Sequence, residues 1–110
     1  MIGITSHVLD TSVGRPAEGV AVRLEHAGRD RWELIADTVT DRDGRVARFG
    51  DEPLAAGLFR LVFGTGRYYA GQDVDSFYPE VTVSFRVTDD GHYHVPLLLS
   101  PFGYSTYRGS

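Results

Sequence analysis

Hydrophobic and polar positions alternate in short runs along this chain, a period of two that is typical of strands with one buried face. The alternation is cleanest at residues 81–88, where every second residue is apolar and its neighbours are polar. Such runs predict eight short strands, at residues 4–9, 20–25, 32–39, 45–49, 58–63, 81–88, 92–98 and 104–107.

Glycine, proline and aspartate separate these runs at positions that favour loops and turns. Residues 10–19 form a predicted loop, residues 41–44 (DRDG) a tight turn, and residues 89–91 (DDG) a hairpin turn. Only residues 66–74 suggest a helix, of about two turns. The sequence therefore predicts one all-β domain over residues 1–110, an eight-stranded two-sheet sandwich with one short helix.

Composition and charge narrow the classes of function. The 110 residues are 42% hydrophobic, include no cysteine and carry a net charge of -4 with the two signs interleaved. The absence of cysteine means that there is no disulfide framework. The interleaved, net negative charge predicts that the protein does not bind nucleic acid. No run approaches the roughly 18 apolar residues of a membrane span. The first residues show no basic and apolar leader, which favours a cytoplasmic protein, although a leader removed by processing would leave the same sequence.

The C-terminal part of the chain concentrates apolar and aromatic residues. The run at residues 96–99 (PLLL) and the aromatic tail at 102–107 predict more apolar surface than one small sandwich exposes. We expect some of this surface to be buried between subunits.

Histidines are the main candidates for chemistry. Period-two alternation puts His92 and His94 on one face of their strand, opposite Tyr93. His7 lies in the first strand, whereas His26 lies near a turn and is predicted to be solvated. A strand histidine most often has only a structural role, but imidazoles that share a face also suit general acid–base chemistry. A three-histidine metal site, with His7 as third ligand, stays open as an alternative.

One arginine and the C-terminal tail add binding groups. Arg45 follows the DRDG turn, and is either a solvated strand residue or a group that binds an anionic or carbonyl-rich ligand. The tail, residues 104–110, offers hydroxyls, a guanidinium and a carboxylate. No Gly-x-Ser-x-Gly elbow, phosphate loop or dinucleotide fingerprint occurs. Histidine acting on water is the mechanism that these residues support.

Four segments in a fixed order carry a resemblance to a known family. They are residues 4–17 (ITSHVLDTSVGRPA), 40–45 (TDRDGR), 77–80 (FYPE) and 92–110, which ends in Tyr-Arg-Gly-Ser. The chain resembles, over nearly its whole length, the transthyretin-like 5-hydroxyisourate hydrolases of urate (purine) breakdown.

The resemblance implies a fold, an assembly and a set of site residues. The family fold is an eight-stranded sandwich with one short helix, assembled as a homotetramer, a dimer of dimers with sites at the dimer–dimer interface. The implied substrate is 5-hydroxyisourate, with no cofactor and no metal. The family's catalytic residues correspond to His7, Arg45 and His94, and its substrate-binding residues to Tyr107, Arg108, Gly109 and Ser110.

Two other classes of protein stay open at this point. Hormone-carrying transthyretins share the fold that the resemblance implies, but lack the terminal Tyr-Arg-Gly-Ser and the histidine and arginine set. A carrier would bind a small aromatic ligand without turnover. A plain interaction module would leave His7, Arg45 and His94 scattered in space.

Overall fold

The computed structural model describes residues 1–110 as two β-sheets packed face to face. The strands are β1 (Gly3–Asp10), β2 (Arg15–Pro16), β3 (Ala21–Ala27), β4 (Trp32–Val39), β5 (Arg45–Val46), β6 (Gly57–Phe63), β7 (Val81–Val87), β8 (His92–Ser100) and β9 (Gly103–Thr106), and the helix is α1 (Thr65–Ala70). One sheet has the order β2-β1-β8-β9 with β5 also on β1; the other has the order β4-β3-β6-β7. The predicted all-β sandwich with one short helix is confirmed.

Alternating apolar residues of both sheets form a single core. On β3 and β6 the inward residues Leu24, Phe59 and Leu61 are fully buried, and Val8 and Leu97 meet them from the other sheet. The buried cluster has 18 residues, most of them in the strands of the two sheets. Their removal from water is the main term that holds the two layers together.

Several element boundaries differ from the sequence predictions. A ninth strand, β2, lies inside the predicted 10–19 loop, where its two residues pair with the end of β1. The predicted strand at residues 45–49 corresponds to β5, which ends at Val46. Phe49 is buried but does not belong to a strand. The helix spans Thr65–Ala70 rather than residues 66–74.

No helix of the structure is long and apolar enough to cross a membrane.

The predicted hairpin at residues 89–91 is wrong. A turn is present, but β7 pairs with β6 whereas β8 pairs with β1 and β9, so this turn crosses from one sheet to the other. The Tyr93 hydroxyl accepts hydrogen bonds from the backbone N–H groups of Thr88 and Asp89 at 3.1 and 3.2 Å. It donates to the Asp89 carboxylate at 2.6 Å. The Tyr93 side chain thus satisfies two backbone N–H groups at a turn where no hairpin supplies hydrogen-bond partners for them.

The apolar run at residues 96–99 is less exposed than predicted. Leu97 and Leu99 are buried within the single chain because they face the core between the two sheets, and Pro96, on the other face of β8, is buried as well. The aromatic residues of the tail do remain exposed, with Phe102 at 67% and Tyr107 at 57%. The tail therefore offers apolar surface to a second subunit.

The DRDG turn is fixed to β1 through a glycine. Gly44 has φ +74°, donates its N–H to the Asp41 carbonyl at 2.9 Å, and accepts from the Val8 N–H at 2.7 Å. A Cβ at position 44 would meet the Val8 carbonyl oxygen and lie 3.0 Å from the Pro16 Cβ. Both the backbone angle and the close approach of β1 require glycine here.

We predict that Gly44→Ala destabilises the fold strongly. Gly14→Ala is the matched control, because Gly14 also has positive φ (+68°) but nothing lies within 4 Å of its would-be Cβ. In the control, the free energy of unfolding should fall by the backbone penalty alone, about 1–2 kcal/mol. In Gly44→Ala the clash of the new methyl group with the β1 backbone adds to this penalty, and the fall should reach about 3 kcal/mol or more. Urea unfolding measures both, and equal costs would show that the close approach does not matter.

Candidate active site

The outer face of the β2-β1-β8-β9 sheet carries the predicted histidines. On β1 the inward residues are buried, so Thr5 and His7 point outward. On β8 Tyr93 is buried, whereas His94 is half-buried and His92 exposed, as the alternation predicted. The parallel register of β1 and β8 sets Thr5 beside His94. The two β8 imidazoles are nearly parallel, with ring centroids 6.4 Å apart.

Arg45 lies next to His7 because β5 is antiparallel to β1 and the two residues are register partners. The Asp41 carboxylate holds this turn by accepting the backbone N–H groups of Asp43 and Arg45, both at 2.9 Å. His7 Nε2 donates to the Asp43 carbonyl at 2.9 Å. A neutral His7 that donates from Nε2 keeps its free lone pair on Nδ1.

The backbone of the C-terminal tail packs on His94. Gly109 N donates to the His94 carbonyl at 2.8 Å, forming an isolated antiparallel bridge. A Cβ on Gly109 would lie only 2.6 Å from His94 Cδ2. Glycine at this position therefore lets the tail lie directly against the imidazole.

The surroundings of His94 favour its neutral form. Burial lowers the pKa of His94 below the ordinary histidine value, and the positive charges of Arg45, His7 and His92 lower this pKa further. A neutral imidazole near pH 7 is able to accept a proton. Strand register gives the relative positions: Arg45 is the partner of His7, and His7 lies two residues along β1 from Thr5, the partner of His94.

The side chains of the other tail residues lie elsewhere within one chain. Arg108 Nη2 donates to the His92 carbonyl at 3.3 Å, and its guanidinium lies 4.4 Å from the ring centroid of Tyr93, on the side of β8 opposite the imidazoles. Tyr107 and Arg108 line a cavity of about 220 Å³ beside β7. Ser110 is exposed. A single chain thus brings His7, Arg45, His94 and Gly109 together, but not the side chains of Tyr107 and Arg108.

His26 lies apart from this cluster. It belongs to β3 in the other sheet, where its ring stacks on Phe59 with centroids 4.3 Å apart. It is half-buried rather than solvated as predicted, because its strand continues to Ala27, beyond the expected end. This packing gives His26 a structural role.

Two members of the cluster were not found from the sequence. Thr5 Oγ1 lies 2.7 Å from His94 Nδ1 and 3.0 Å from His92 Nε2, and the Asp43 carbonyl orients His7. Period two does place Thr5 on the same face as His7, which was an available signal. The pairing of β1 with β8, which brings Thr5 to the histidines, has no signal in a single sequence.

The alternative of a three-histidine metal site finds no cluster of ligands. No group of three or more His, Cys, Asp or Glu side chains is arranged to hold a metal ion. One nitrogen of His92 and one of His94 meet the Thr5 hydroxyl, and His7 Nε2 meets a carbonyl. Of the six ring nitrogens of His7, His92 and His94, three are therefore already in hydrogen bonds.

The fold, a two-sheet β-sandwich with one short helix, is that of the transthyretin-like class of proteins. The chain belongs to the HIUase/Transthyretin family, whose model matches residues 4–109. A probable 5-hydroxyisourate hydrolase of Caenorhabditis elegans is 49% identical over 97% of this chain and 81% of its own length. A 5-hydroxyisourate hydrolase of Caulobacter vibrioides is 44% identical over the full length of both.

Solved structures give the same picture. The 5-hydroxyisourate hydrolase of Klebsiella pneumoniae superposes with a TM-score of 0.89 at 41% identity, covering 98% of this chain and 99% of that one. Sea bream transthyretin in complex with thyroxine superposes with a TM-score of 0.91 at 33% identity, covering 97% and 94%. The fold is thus shared by an enzyme and a hormone-binding protein, and the sequence is more similar to the enzyme.

We predict that the imidazole of His94 titrates below the ordinary histidine pKa of about 6.5, and that Arg45→Gln raises its midpoint. Removing a positive charge favours the imidazolium form, whereas burial still opposes it, so the rise is partial. Histidine NMR titration measures both values. Arg23→Gln, on β3 of the other sheet, is the matched control and should leave the midpoint unchanged; an equal midpoint in both variants would contradict the argument.

Proposed function

We propose that this protein hydrolyses 5-hydroxyisourate, the reaction for which its relatives of 41–49% identity are named. The observation that carries the proposal is the grouping of His7, Arg45 and His94 on one outer face, around an imidazole whose pKa is lowered. Hydrolysis of a cyclic amide needs a base for water and positive charge for the carbonyl oxygen. These residues supply both.

The proposed reaction opens the six-membered ring. Water adds to a ring carbonyl, the carbon–nitrogen bond breaks, and the product is 2-oxo-4-hydroxy-4-carboxy-5-ureidoimidazoline. His94 is the proposed base, because its neutral form is favoured and it is half-buried. His7 is its partner in proton transfer, with Nδ1 free to accept or orient the water.

Arg45 is the proposed electrophilic group. Its guanidinium binds substrate oxygens and stabilises the negative charge that develops on the attacked carbonyl. The Asp41 carboxylate binds the backbone of this turn rather than the guanidinium, so the positive charge of Arg45 is left for the substrate. The proposed mechanism uses neither a metal nor a cofactor.

The proposed assembly is a homotetramer, a dimer of dimers with sites at the dimer–dimer interface. Exposed aromatic residues support burial of the tail between subunits, since Phe102, Tyr104 and Tyr107 are 67%, 43% and 57% exposed in one chain. In this assembly Tyr107, Arg108 and Ser110 bind substrate at the interface, and Gly109 shapes the pocket wall. A cytoplasmic location stays a prediction.

The direct test is the ultraviolet decay of freshly generated 5-hydroxyisourate with catalytic amounts of the protein, with and without a chelator. Faster decay that survives the chelator supports the proposed hydrolase. Faster decay that the chelator abolishes would revive the three-histidine metal site. No acceleration by the folded protein, together with stoichiometric binding of an aromatic ligand such as thyroxine, would favour a carrier like the sea bream relative.

We predict that His94→Asn and Arg45→Ala each lower kcat/KM by about a hundredfold or more, the usual contribution of a general base or an oxyanion donor. Both residues lie on an outer face, so circular dichroism and melting temperature should stay near those of the wild type. His26→Asn and Arg23→Ala, in the other sheet, are the matched controls and should keep full turnover. Near-wild-type activity of either site variant would remove that residue from the mechanism.

We predict that Gly109→Ala lowers kcat by about tenfold to a hundredfold, because a methyl group 2.6 Å from His94 Cδ2 displaces either the tail or the imidazole. Gly103→Ala on β9 is the control, since its Cβ would meet only Ser100 Oγ at an ordinary 3.6 Å. Deletion of residues 107–110 should likewise impair activity more than stability. A fully active Gly109→Ala variant or truncation would show that the tail lies outside the site.

A further inference from the structure

A single hydroxyl group lies between the two histidines of β8. Thr5 Oγ1 is 2.7 Å from His94 Nδ1 and 3.0 Å from His92 Nε2, both ordinary hydrogen-bond distances. The parallel register holds this arrangement, with Thr5 opposite His94 and Gly3 opposite His92. A Cβ at position 3 would lie 3.3 Å from His92 Cδ2, so Gly3 gives this ring room to lie over β1.

The hydroxyl has one hydrogen, which couples the two rings. When this proton is used between the rings, the hydroxyl donates to one imidazole nitrogen and accepts from the N–H of the other, because two acceptors cannot share a single proton. Two arrangements satisfy both bonds. Either His94 Nδ1–H donates to Thr5 and Thr5 donates to His92 Nε2, or all donors are reversed.

Only the first arrangement suits His94 as a base. With its proton on Nδ1, the neutral ring carries its lone pair on Nε2, the nitrogen that Thr5 does not occupy. The reversed arrangement puts a proton on Nε2 and blocks it. In the first arrangement His92 accepts at Nε2 and carries its own proton on Nδ1. His92 is exposed, so this proton can pass to solvent.

The proposed reaction releases one proton for each turnover. Hydrolysis of an amide gives a carboxylic acid, which ionises near neutral pH because its pKa is about 4. Arg45, His7 and His92 all disfavour a positive charge on His94, so the proton that His94 accepts does not stay there. The site needs a route that carries this proton past the buried side of His94.

We propose that Thr5 and His92 are positioning residues, which hold His94 with Nε2 free and pass its proton to solvent. The proposal rests on the proposed hydrolase function. As His94 Nε2 accepts a proton from water, the Nδ1 proton moves to Thr5 Oγ1 and the hydroxyl proton moves to His92 Nε2. The Nδ1 proton of His92 then leaves to solvent. Each group gives up one proton for the one it accepts, so His94 stays neutral while the chain passes into the reversed arrangement. As the carbon–nitrogen bond breaks, His94 gives its Nε2 proton to the leaving ring nitrogen and receives a proton at Nδ1 as the chain runs in reverse from solvent, which restores the first arrangement. The one proton released in each turnover is that of the carboxylic acid product.

The first test is a set of threonine variants assayed on 5-hydroxyisourate. Thr5→Val keeps the shape and the strand preference of the side chain but removes the hydroxyl, and should lower kcat about tenfold or more with KM within about twofold. Thr5→Ser restores the hydroxyl and should return kcat to within about threefold of the wild type. Thr82→Val, an exposed β7 position in the other sheet, is the matched control and should be fully active.

The second test separates a proton relay from a structural role. His92→Ala should be slow and should regain turnover as free imidazole is added, whereas His94→Asn should not respond. Nitrogen-15 NMR of the histidine rings should show the Nδ1–H tautomer of His94 in the wild type and loss of that preference in Thr5→Val. Unchanged kcat and an unchanged tautomer in Thr5→Val, or no imidazole response of His92→Ala, would overturn the proposal.

The two proposals fail in different ways. If the wild-type protein does not accelerate decay of 5-hydroxyisourate, the hydrolase function itself is wrong. If the wild type is active and Thr5→Val matches it, the hydrolase stands and only the relay is wrong. The NMR tautomer of His94 is measured without substrate and tests the positioning role in either case.

Discussion

The parallel pairing of β1 with β8 is the constraint on which the site depends. Eight consecutive residue pairs fix its register, from Gly3 opposite His92 to Asp10 opposite Leu99. A slip of one residue would turn the imidazoles into the core and the buried leucines into solvent. Leu97 and Leu99 are nearly fully buried, and a slip would expose them to water. The free-energy cost of that exposure opposes the slip and therefore also keeps His94 in position. Core packing and site geometry are set by the same hydrogen-bonded ladder.

A second strand pair adds the positive charge to this ladder. β5 is only two residues long, but it aligns Arg45 with His7, and the Asp41 carboxylate and Gly44 hold the turn that precedes it. The short strand is enough because β1 already has β8 on its other side as a fixed partner. The backbone of Arg45, the residue that directly follows the turn, is in this way held in a strand pair, as a preorganised electrostatic site needs.

The sequence predicts the faces of the strands better than it predicts their partners. Period two correctly placed His92 and His94 on one side and Tyr93 on the other, and turn residues correctly marked residues 41–44. The pairing of strands depends on contacts across the whole chain, which local periodicity does not contain. For that reason the residues at 89–91 predict a hairpin that the sheets do not contain, and local periodicity does not predict the contact of Thr5 with both histidines. The roles of His7, Arg45 and His94 came from the resemblance, and the structure adds their grouping on one face.

The separation in sequence between Thr5 and His94, 89 residues, has a consequence for how the protein folds. A sheet whose central strands come from opposite ends of the chain requires a long loop to close before its ladder gains any hydrogen bond, and such topologies fold slowly. The other sheet is built from nearer neighbours along the chain, with β3 beside β4 and β6. During synthesis that sheet is the first that can form, and the face that carries the imidazoles is completed only after β8 has left the ribosome.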